Sequence, residues 1–187
     1  MNYFKNAIAI KEEFLSATIS TLYMVFFTAI IAGIIGLILG IILTVTERDG
    51  ILENKIVNSI LDKIINLFRS IPFIILLAIL APLTRVIVGT RIGEKAAIVP
   101  LVFGTFPFFA RQVQNVLLEV DSGIIEAAEA MGSSEIEIIT RVYLKESLPS
   151  LIRVCAITLI SLIGLSAMAG AIGAGGLGKL AIAQGYN

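Results

Sequence analysis

The sequence contains no histidine and no tryptophan, and its single cysteine, Cys155, lies in an apolar run. Without histidine, a Ser-His-Asp triad, a Cys-His pair and the usual zinc sites are excluded. One cysteine cannot form a disulfide within the chain, and a small packed apolar side chain is a better interpretation of it than a catalytic thiol. We therefore expect no catalytic residue, no metal site and no cofactor.

Charge is also scarce. Charged residues occupy 15% of the 187 positions, against about a quarter in soluble domains, whereas hydrophobic residues reach 57%. The mean hydropathy is +0.97. This balance predicts an integral membrane protein surrounded by lipid. The net charge is zero, so no whole-chain field favours a nucleic-acid partner.

Four hydrophobic segments are predicted to cross the membrane as helices. The first is free of charge from Phe14 to Thr46, long enough at about 1.5 Å per residue to cross a hydrocarbon layer of roughly 30 Å. The fourth is free of charge from Val154 to Gly178. Because six glycines lie between Gly164 and Gly178, with both ends counted, the helix of this span is expected to end near Ala169–Ile172.

The two middle spans are interrupted by proline. The second joins Ile56–Phe68, which contains Asp62 and Lys63, to the charge-free stretch Ser70–Thr84. Pro72 and Pro82 are expected to kink it or open its hydrogen-bond ladder. The third span covers about 96–110 and contains two more prolines, Pro100 and Pro107.

The first span carries the pattern G-x-x-G-x-x-x-G at Gly33, Gly36 and Gly40. Small residues at this spacing permit close helix contact, but a span that merely tolerates glycine fits equally well. Four spans place both chain ends on one side of the membrane. Eight Lys and Arg residues lie in the segments that follow spans one and three, and six lie on the other side of the membrane. Because Lys and Arg are enriched in cytoplasmic loops, this difference weakly favours a cytoplasmic position for segment 111–153.

Residues 111–153 are too polar for a span and too patterned for a slack linker. Asp121 and Ser122 offer N-cap oxygens for a short helix, and Gly132 is a typical residue after its last turn. Ile124, Ala128 and Met131 are predicted to share the apolar face of this helix.

A second helix is predicted directly after Gly132. Ser134 and Glu137 fit a capping box, and Glu137 and Arg141 stand four residues apart in the favourable order. Ile136, Ile139 and Tyr143 are predicted to form its apolar stripe, before the chain returns to the membrane at Leu148-Pro149.

The stretch EAAEAMG (126–132) has two interpretations. An interfacial helix resting on lipid headgroups would carry a polar face rich in Lys and Arg, whereas this one is acidic. A helix that enters the groove of a soluble partner fits better, since alanines keep it thin and glutamates meet basic groups at the rim. The predicted partner-binding residues are Glu126, Ala127, Ala128, Glu129, Met131 and Gly132.

E-A-A followed after three residues by glycine, between two spans, resembles the signature loop of the permeases of binding-protein-dependent ABC importers. Further blocks, RSIPFIILL (69–77), TRVIVGT (84–90), AAIVPL (96–101) and GLSAMAGAIGAGGLG (164–178), are similar to the methionine-import (MetI-like) permeases of that family. The resemblance covers the chain from about Thr18 to its end. It implies an all-α polytopic membrane protein, a helix bundle of the MetI-like permease type in which 1–187 is a single transmembrane permease domain and 111–153 is its cytoplasmic coupling loop.

The resemblance also implies a function and partners. A permease subunit, itself not an enzyme, would form the translocation path for methionine with a second copy of itself, in the bacterial cytoplasmic membrane. Its loop would seat in a cytoplasmic ATP-binding subunit, and an extracytoplasmic substrate-binding protein would deliver the cargo. Two features depart from the family: Lys145 replaces the proline that often follows the loop, which predicts a straighter second helix, and the family's fifth span is expected to be missing.

The glycine tract satisfies two nucleotide motifs, G-x-G-x-x-G at Gly173–Gly178 and most of a P-loop ending at Lys179. No strand is predicted before it, and Leu180 stands where a P-loop needs Ser or Thr, so a turn with close packing is the better interpretation. By resemblance the tract follows the helix that lines the path. The candidate pore or gate residues on that helix are Ser161, Ser166 and Met168, and for Met168 plain packing between helices is the alternative interpretation.

Three alternatives to the methionine permease stay open at this point. One is a related permease for another small solute. Another is a non-transporting membrane scaffold whose loop recruits a soluble protein without nucleotide motifs. An intramembrane hydrolase is disfavoured because histidine is absent and no paired carboxylates lie within the spans.

Overall fold

A computed structural model describes residues 11–185, and every regular element in this range is helical. Three helices are long: α1 (Lys11–Val45), α4 (Glu94–Leu117) and α8 (Leu148–Ala169). The shorter helices are α2 (Lys55–Ser70), α3 (Phe73–Val88), α5 (Ser122–Ala130), α6 (Glu135–Glu137), α7 (Leu144–Glu146) and α9 (Gly176–Gly185). Two π-helical segments, Ile138–Tyr143 and Gly170–Ala174, lie between α6 and α7 and directly after α8.

The membrane spans follow the apolar runs. α1, α4 and the segment Leu148–Ala174 are each long and apolar enough to cross a membrane, and counting α2 with α3 as one broken span raises the number to four. α4 passes through both of its prolines and continues to Leu117. The helix of the third span therefore extends beyond the predicted end of the span at Ala110, to Leu117.

The second span is a bent pair of helices, with an angle of 110° between α2 and α3. The break falls at Pro72, whose extended backbone (φ −55°, ψ 136°) is not helical, and a proline also disfavours helical geometry at the residue before it, Ile71. Pro82, which was also expected to disturb the span, lies inside α3 without ending it. α2 itself is amphipathic, with Ile65 as its buried residue.

The described residues form two compact units. The first comprises 11–31, 71–105 and 159–185, and its core includes Met24, Leu101, Leu162 and Ala169. The second comprises 32–70 and 106–158, and its largest cluster includes Val113, Leu117, Ile138 and Tyr143.

Glycines produce the close helix contacts that the sequence allowed. In the second unit, a Cβ placed on Gly36 or Gly40 would lie 2.8 Å from Phe109 Cδ1 or 2.6 Å from Val113 Cβ, so α1 packs against α4 at these two positions. A Cβ on Gly33 would meet nothing within 4 Å. Gly33, the first glycine of the pattern, therefore takes no part in the contact.

The glycine tract after α8 turns and packs closely, as predicted. α8 ends at Ala169, and the chain then leaves helical geometry at Ile172 and at Gly173, whose φ is +112°. Gly176 (φ +70°) contacts α1, where the Leu177 amide donates a hydrogen bond to Thr21 Oγ1 at 2.9 Å. Glycine is required here because both its backbone angle and its contact distance exclude a side chain.

Candidate docking loop and translocation face

α5 begins and ends at the residues that the sequence predicted. Asp121 is the N-cap, and its side chain accepts a hydrogen bond from the Gly123 amide at 2.7 Å. Gly132 follows the helix with φ +81°, and the Ser133 amide donates back to the Ala128 carbonyl at 3.1 Å. The left-handed glycine satisfies the last carbonyls of α5 and turns the chain sharply.

The capping box of the next helix is also confirmed. The Ser134 amide donates to Glu137 Oε2 at 3.1 Å, and the Glu137 amide donates to Ser134 Oγ at 3.4 Å. Glu137 Oε1 also lies 3.4 Å from Arg141 Nη1. These contacts lower the pKa of the Glu137 carboxyl, with the Ser134 amide as the largest cause, followed by the Ser134 hydroxyl and the Arg141 charge.

The predicted apolar stripe of this helix is confirmed in part. Tyr143 is buried and Ile139 packs against the same cluster, whereas Ile136 is 73% exposed and Ile138 is buried in addition. The reason is the π-helical segment Ile138–Tyr143, in which hydrogen bonds run from i to i+5, so residues five apart share a face in place of residues three or four apart. Lys145 lies in the three-residue helix α7, which ends at Glu146 with Ser147 as its C-cap, and the straighter helix expected at this position stays a prediction.

Five of the six predicted docking residues are exposed. Glu126, Ala127, Glu129 and Gly132 lie on the outside of the loop, and the Met131 side chain is 79% exposed. Met131 therefore does not share a buried face with Ala128, and Ile124 is exposed as well, so the predicted apolar face of α5 is wrong.

Ala128 is the docking candidate that the structure places elsewhere. It is 5% exposed and packs in the chain's own cluster, which includes Leu117 at the end of α4, Ile138 and Tyr143 after α6, and Leu151 near the start of α8. A residue this deep is an anchor within the chain. Its small size lets α5 approach the ends of α4 and α8 closely, and Ile125 packs beside it.

Glu129 acts on the same junction from its exposed position. The pKa of Tyr143 is raised, first because its hydroxyl is removed from water and second because the Glu129 carboxylate disfavours a phenolate. The neutral phenol is therefore the form that packs under α5 at physiological pH.

The sequence reasoning missed a polar network on the second unit. The Arg111 guanidinium, in the C-terminal half of α4, donates to two residues of α2: to Asp62 Oδ1 and, at 3.2 Å, to Asn66 Oδ1. It also donates to Gln114 Oε1 of its own helix at 2.6 Å. Gln114 in turn donates to Glu47 Oε2 at 3.1 Å. The available signal was Asp62 itself, a carboxylate inside an otherwise apolar run that needs a partner.

The three pore candidates on α8 separate into two groups. Ser161 and Met168 are exposed and stand seven residues apart, which places them on one face of the helix. Ser166 is 2% exposed, and its hydroxyl donates to the Ile163 carbonyl at 2.7 Å. Ser166 therefore does not share that exposed face, and its role in the pore stays a prediction.

Comparisons with known proteins agree with this arrangement. The family model described as the binding-protein-dependent transport system inner membrane component matches residues 34–186. The probable D-methionine transport system permease protein MetI of Pasteurella multocida (strain Pm70) is 53% identical over 169 residues, covering 90% of this chain and 78% of that protein. The corresponding protein of Vibrio cholerae serotype O1 is 46% identical over 173 residues, 92% of this chain and 77% of that one.

A solved structure supports the same assignment. The inward-facing MetNI methionine ABC transporter, in its native crystal form, contains a chain that is 48% identical and matches with a TM-score of 0.90. The match covers 92% of this chain and 80% of that one. The protein therefore belongs to the family of binding-protein-dependent transport system inner membrane components, as a multi-pass all-α permease of the bacterial cytoplasmic membrane.

Proposed function

We propose that this chain is the permease subunit of an ABC importer for methionine and that two copies form the translocation path. The named relatives are methionine permeases at about half identity over nine-tenths of the chain, and the solved neighbour is a methionine ABC transporter. A cytoplasmic ATP-binding subunit supplies the energy, and an extracytoplasmic binding protein delivers the substrate. The permease itself carries out no covalent chemistry.

The observation that carries this proposal is that α5 is exposed on one side and packs into the core of the chain through Ala128 on the other. Glu126, Ala127, Glu129, Met131 and Gly132 are exposed together, while Ala128 packs on the ends of α4 and α8. A partner that grips the exposed side therefore moves the helices that carry it. Since packed clusters resist deformation, this displacement reaches α4 and α8 directly.

The surface is suited to a groove with basic groups at its rim. Glu126 and Glu129 supply two negative charges, and Ala127 and Gly132 keep the approach narrow. Met131 offers a flexible apolar side chain that adapts to an apolar floor. On the membrane side, the α8 face with Ser161 and Met168 lines the path against the second copy.

Co-purification and transport test the docking role. We expect Glu126→Lys to weaken retention of the ATP-binding subunit and lower methionine uptake about tenfold, because it reverses charge at the rim. Gly132→Asp should also weaken retention and lower uptake. Gly132 has a φ of +81°, which a residue with a side chain adopts only with strain, so the turn must shift.

Glu13→Lys, a charge reversal in the first turn of α1, is the matched control and should leave both readouts unchanged. Wild-type uptake and retention in both loop variants would refute the docking role. If the complex took up a different solute and did not take up methionine, the chain would be a permease of another specificity.

A further inference from the structure

The surface of the amphipathic helix α2 is divided into three stripes. The first stripe is buried or half-buried against the protein and comprises Asn58, Leu61, Ile65 and Phe68. The second is apolar and exposed and comprises Ile56, Ile60, Ile64 and Leu67. The third is polar and exposed and comprises Ser59, Lys63, Asn66 and Ser70. Since residues three and four apart share one face of a helix, each stripe follows the length of α2.

The buried stripe holds α2 at the ends of two spans. The Asn58 side chain donates to the Leu43 carbonyl at 2.8 Å and to Thr46 Oγ1 at 3.3 Å, where the charge-free run of the first span ends. On the next turn, Asp62 pairs with Arg111, the charged residue that ends the apolar part of α4. These contacts place α2 where hydrocarbon gives way to water, on the side of the docking loop that follows α4.

The direction of α2 also differs from that of a membrane-crossing helix. The chain bends by 110° between α2 and α3, so the two helices cannot both follow the membrane normal. α3 contains one charged residue, Arg85, whereas α2 contains four. Because charged side chains are costly within hydrocarbon, α3 is the better candidate for the crossing and α2 for a position near the membrane plane.

The charges of α2 are complementary to an anionic lipid surface. Asp62, the acidic residue of this helix, is turned towards Arg111. Lys63 and Arg69 are exposed, and Lys55 lies 3.5 Å from Glu53 before the helix. The outer side of α2 therefore presents cations. A helix with Lys and Arg on its polar side and large apolar residues on the other is typical of the interface with anionic lipids.

Lys63 is placed to reach a headgroup from the edge of the apolar stripe. It lies three residues after Ile60 and four before Leu67, so it adjoins both on the helix surface. A lysine in this position can lay its carbon chain on apolar surface and extend its ammonium group to a phosphate. The docking helix α5 lacks this combination, because its exposed charges are the carboxylates of Glu126 and Glu129.

We propose that α2 is an interfacial anchor that binds the anionic lipid leaflet on the side of the docking loop. Its exposed apolar stripe inserts among the acyl chains, and Lys63 and Arg69 bind headgroup phosphates. α2 is then the interfacial part of the broken second span, and α3 is the part within the hydrocarbon. Through Asn58 and the Asp62–Arg111 pair, this anchor holds the ends of α1 and α4 at the leaflet surface.

Fluorescence quenching in lipid nanodiscs tests the immersion of the apolar stripe. Ser59→Cys and Ile60→Cys, each in a Cys155→Ala background, are labelled with bimane in the purified permease complex. The two positions are neighbours, and both are exposed, so they form a matched pair. Brominated acyl chains should quench position 60 more than position 59, and aqueous iodide should show the reverse order. A thermal midpoint like that of the wild type confirms that each labelled complex is folded.

Three results would overturn the immersion. Equal quenching of both positions by iodide would place the apolar stripe in water. Equal quenching of both by brominated chains would place the whole helix within the hydrocarbon. Shielding of position 60 from both quenchers, with disulfide-linked dimers of Ile60→Cys, would assign the stripe to a second copy of the chain.

The choice of headgroup tests the cations. At equal mole fraction in phosphatidylcholine nanodiscs, brominated phosphatidylglycerol should quench position 60 more strongly than brominated phosphatidylcholine does. Lys63→Gln and Arg69→Gln should each lower this preference roughly fivefold, whereas Lys63→Arg should keep it. Salt at about 1 M should remove it by screening.

Lys145→Gln is the matched control, since it removes an exposed cation from the docking loop and should leave the preference unchanged. A wild-type preference in Lys63→Gln and Arg69→Gln, or no preference before these substitutions, would overturn the binding of headgroups by α2. Neither measurement involves methionine or transport, so the result is independent of the proposed function.

Discussion

Arg111 shows how one residue can hold several elements of this permease. Its guanidinium contacts Asp62 and Asn66 of α2 and Gln114 of its own helix, and Gln114 continues to Glu47 after α1. The Arg111 side chain is largely buried. The planar guanidinium group of arginine has several N–H donors in fixed directions and suits this role better than a lysine ammonium.

Arg111→Ala should lower the stability of the purified protein by about 2 kcal/mol, because it removes hydrogen bonds to a charged partner and leaves Asp62 without its ion-pair partner. Arg111→Lys should recover only part of the loss. The measurement is the thermal midpoint in detergent. Arg48→Ala is the control, since the Arg48–Asp49 pair is almost fully exposed and should contribute little. Equal midpoints for Arg111→Ala and the wild type would contradict the role.

Glu137 predicts a pH dependence of the loop. Its pKa is lower in the folded protein than the ordinary value of 4.5, so the unfolded state binds more protons in acid. Its stabilising contribution is complete above the ordinary pKa and is lost as the pH falls through the lowered value. The gap in thermal midpoint between the wild type and Glu137→Ala should therefore be present at pH 7 and narrow in acid.

Glu135→Ala is the control for this experiment, since Glu135 lies in the same turn and its side chain takes no part in the capping box or the ion pair with Arg141. Its midpoint should follow that of the wild type at each pH. A gap for Glu137→Ala that stays constant from pH 7 into acid would show that the carboxylate does not act through its charge.

At the scale of elements, the contact between α1 and α4 depends on two glycines. Gly36 and Gly40 lie where α4 leaves no room for a side chain, while Gly33, on the same helix, faces open space. Open space within the chain is where lipid or a second copy can lie. A substitution to alanine at Gly40 and at Gly33 therefore adds the same methyl group to the same helix, and only the packing around that group differs.

Gly40→Ala should destabilise the protein by about 1–3 kcal/mol, because the new Cβ would lie 2.6 Å from Val113 Cβ and 2.7 Å from the Ala110 carbonyl oxygen. Gly33→Ala should be neutral or stabilising by up to about 1 kcal/mol, since alanine is the better helix former. Thermal midpoints of the two variants give the comparison. A stabilised Gly40→Ala would show that α1 and α4 separate easily.

At the scale of the whole molecule, the transport proposal requires the loop to face the cytoplasm. Met131→Cys, in a Cys155→Ala background, should react with a membrane-impermeant thiol reagent in inside-out vesicles and not in intact cells. Thr90→Cys, in the exposed loop between α3 and α4, should show the opposite pattern. Addition of the ATP-binding subunit should protect position 131. Labelling of position 131 from outside would remove the basis of the proposed mechanism.

Much of this molecule was determined by the sequence alone, because the relevant free energies are local. Charge-free runs specified α1, α4 and α8 as apolar helices, and the side-chain caps Asp121 and Ser134 with the left-handed Gly132 specified the corner of the loop. Each of these features depends on residues a few positions apart. The family likeness followed from the same short blocks.

Tertiary structure alone decided the features that depend on distant contacts. Ile138 and Tyr143 share a buried cluster with residues of α4 and α8, and the π-helical segment that they bound departs from the regular helical periodicity. Ala128 is an anchor because Leu117 and Leu151 meet it from other helices. The Arg111–Asp62 contact joins residues 49 positions apart. No local pattern carries this information, because the free energy of each contact arises only when the helices pack.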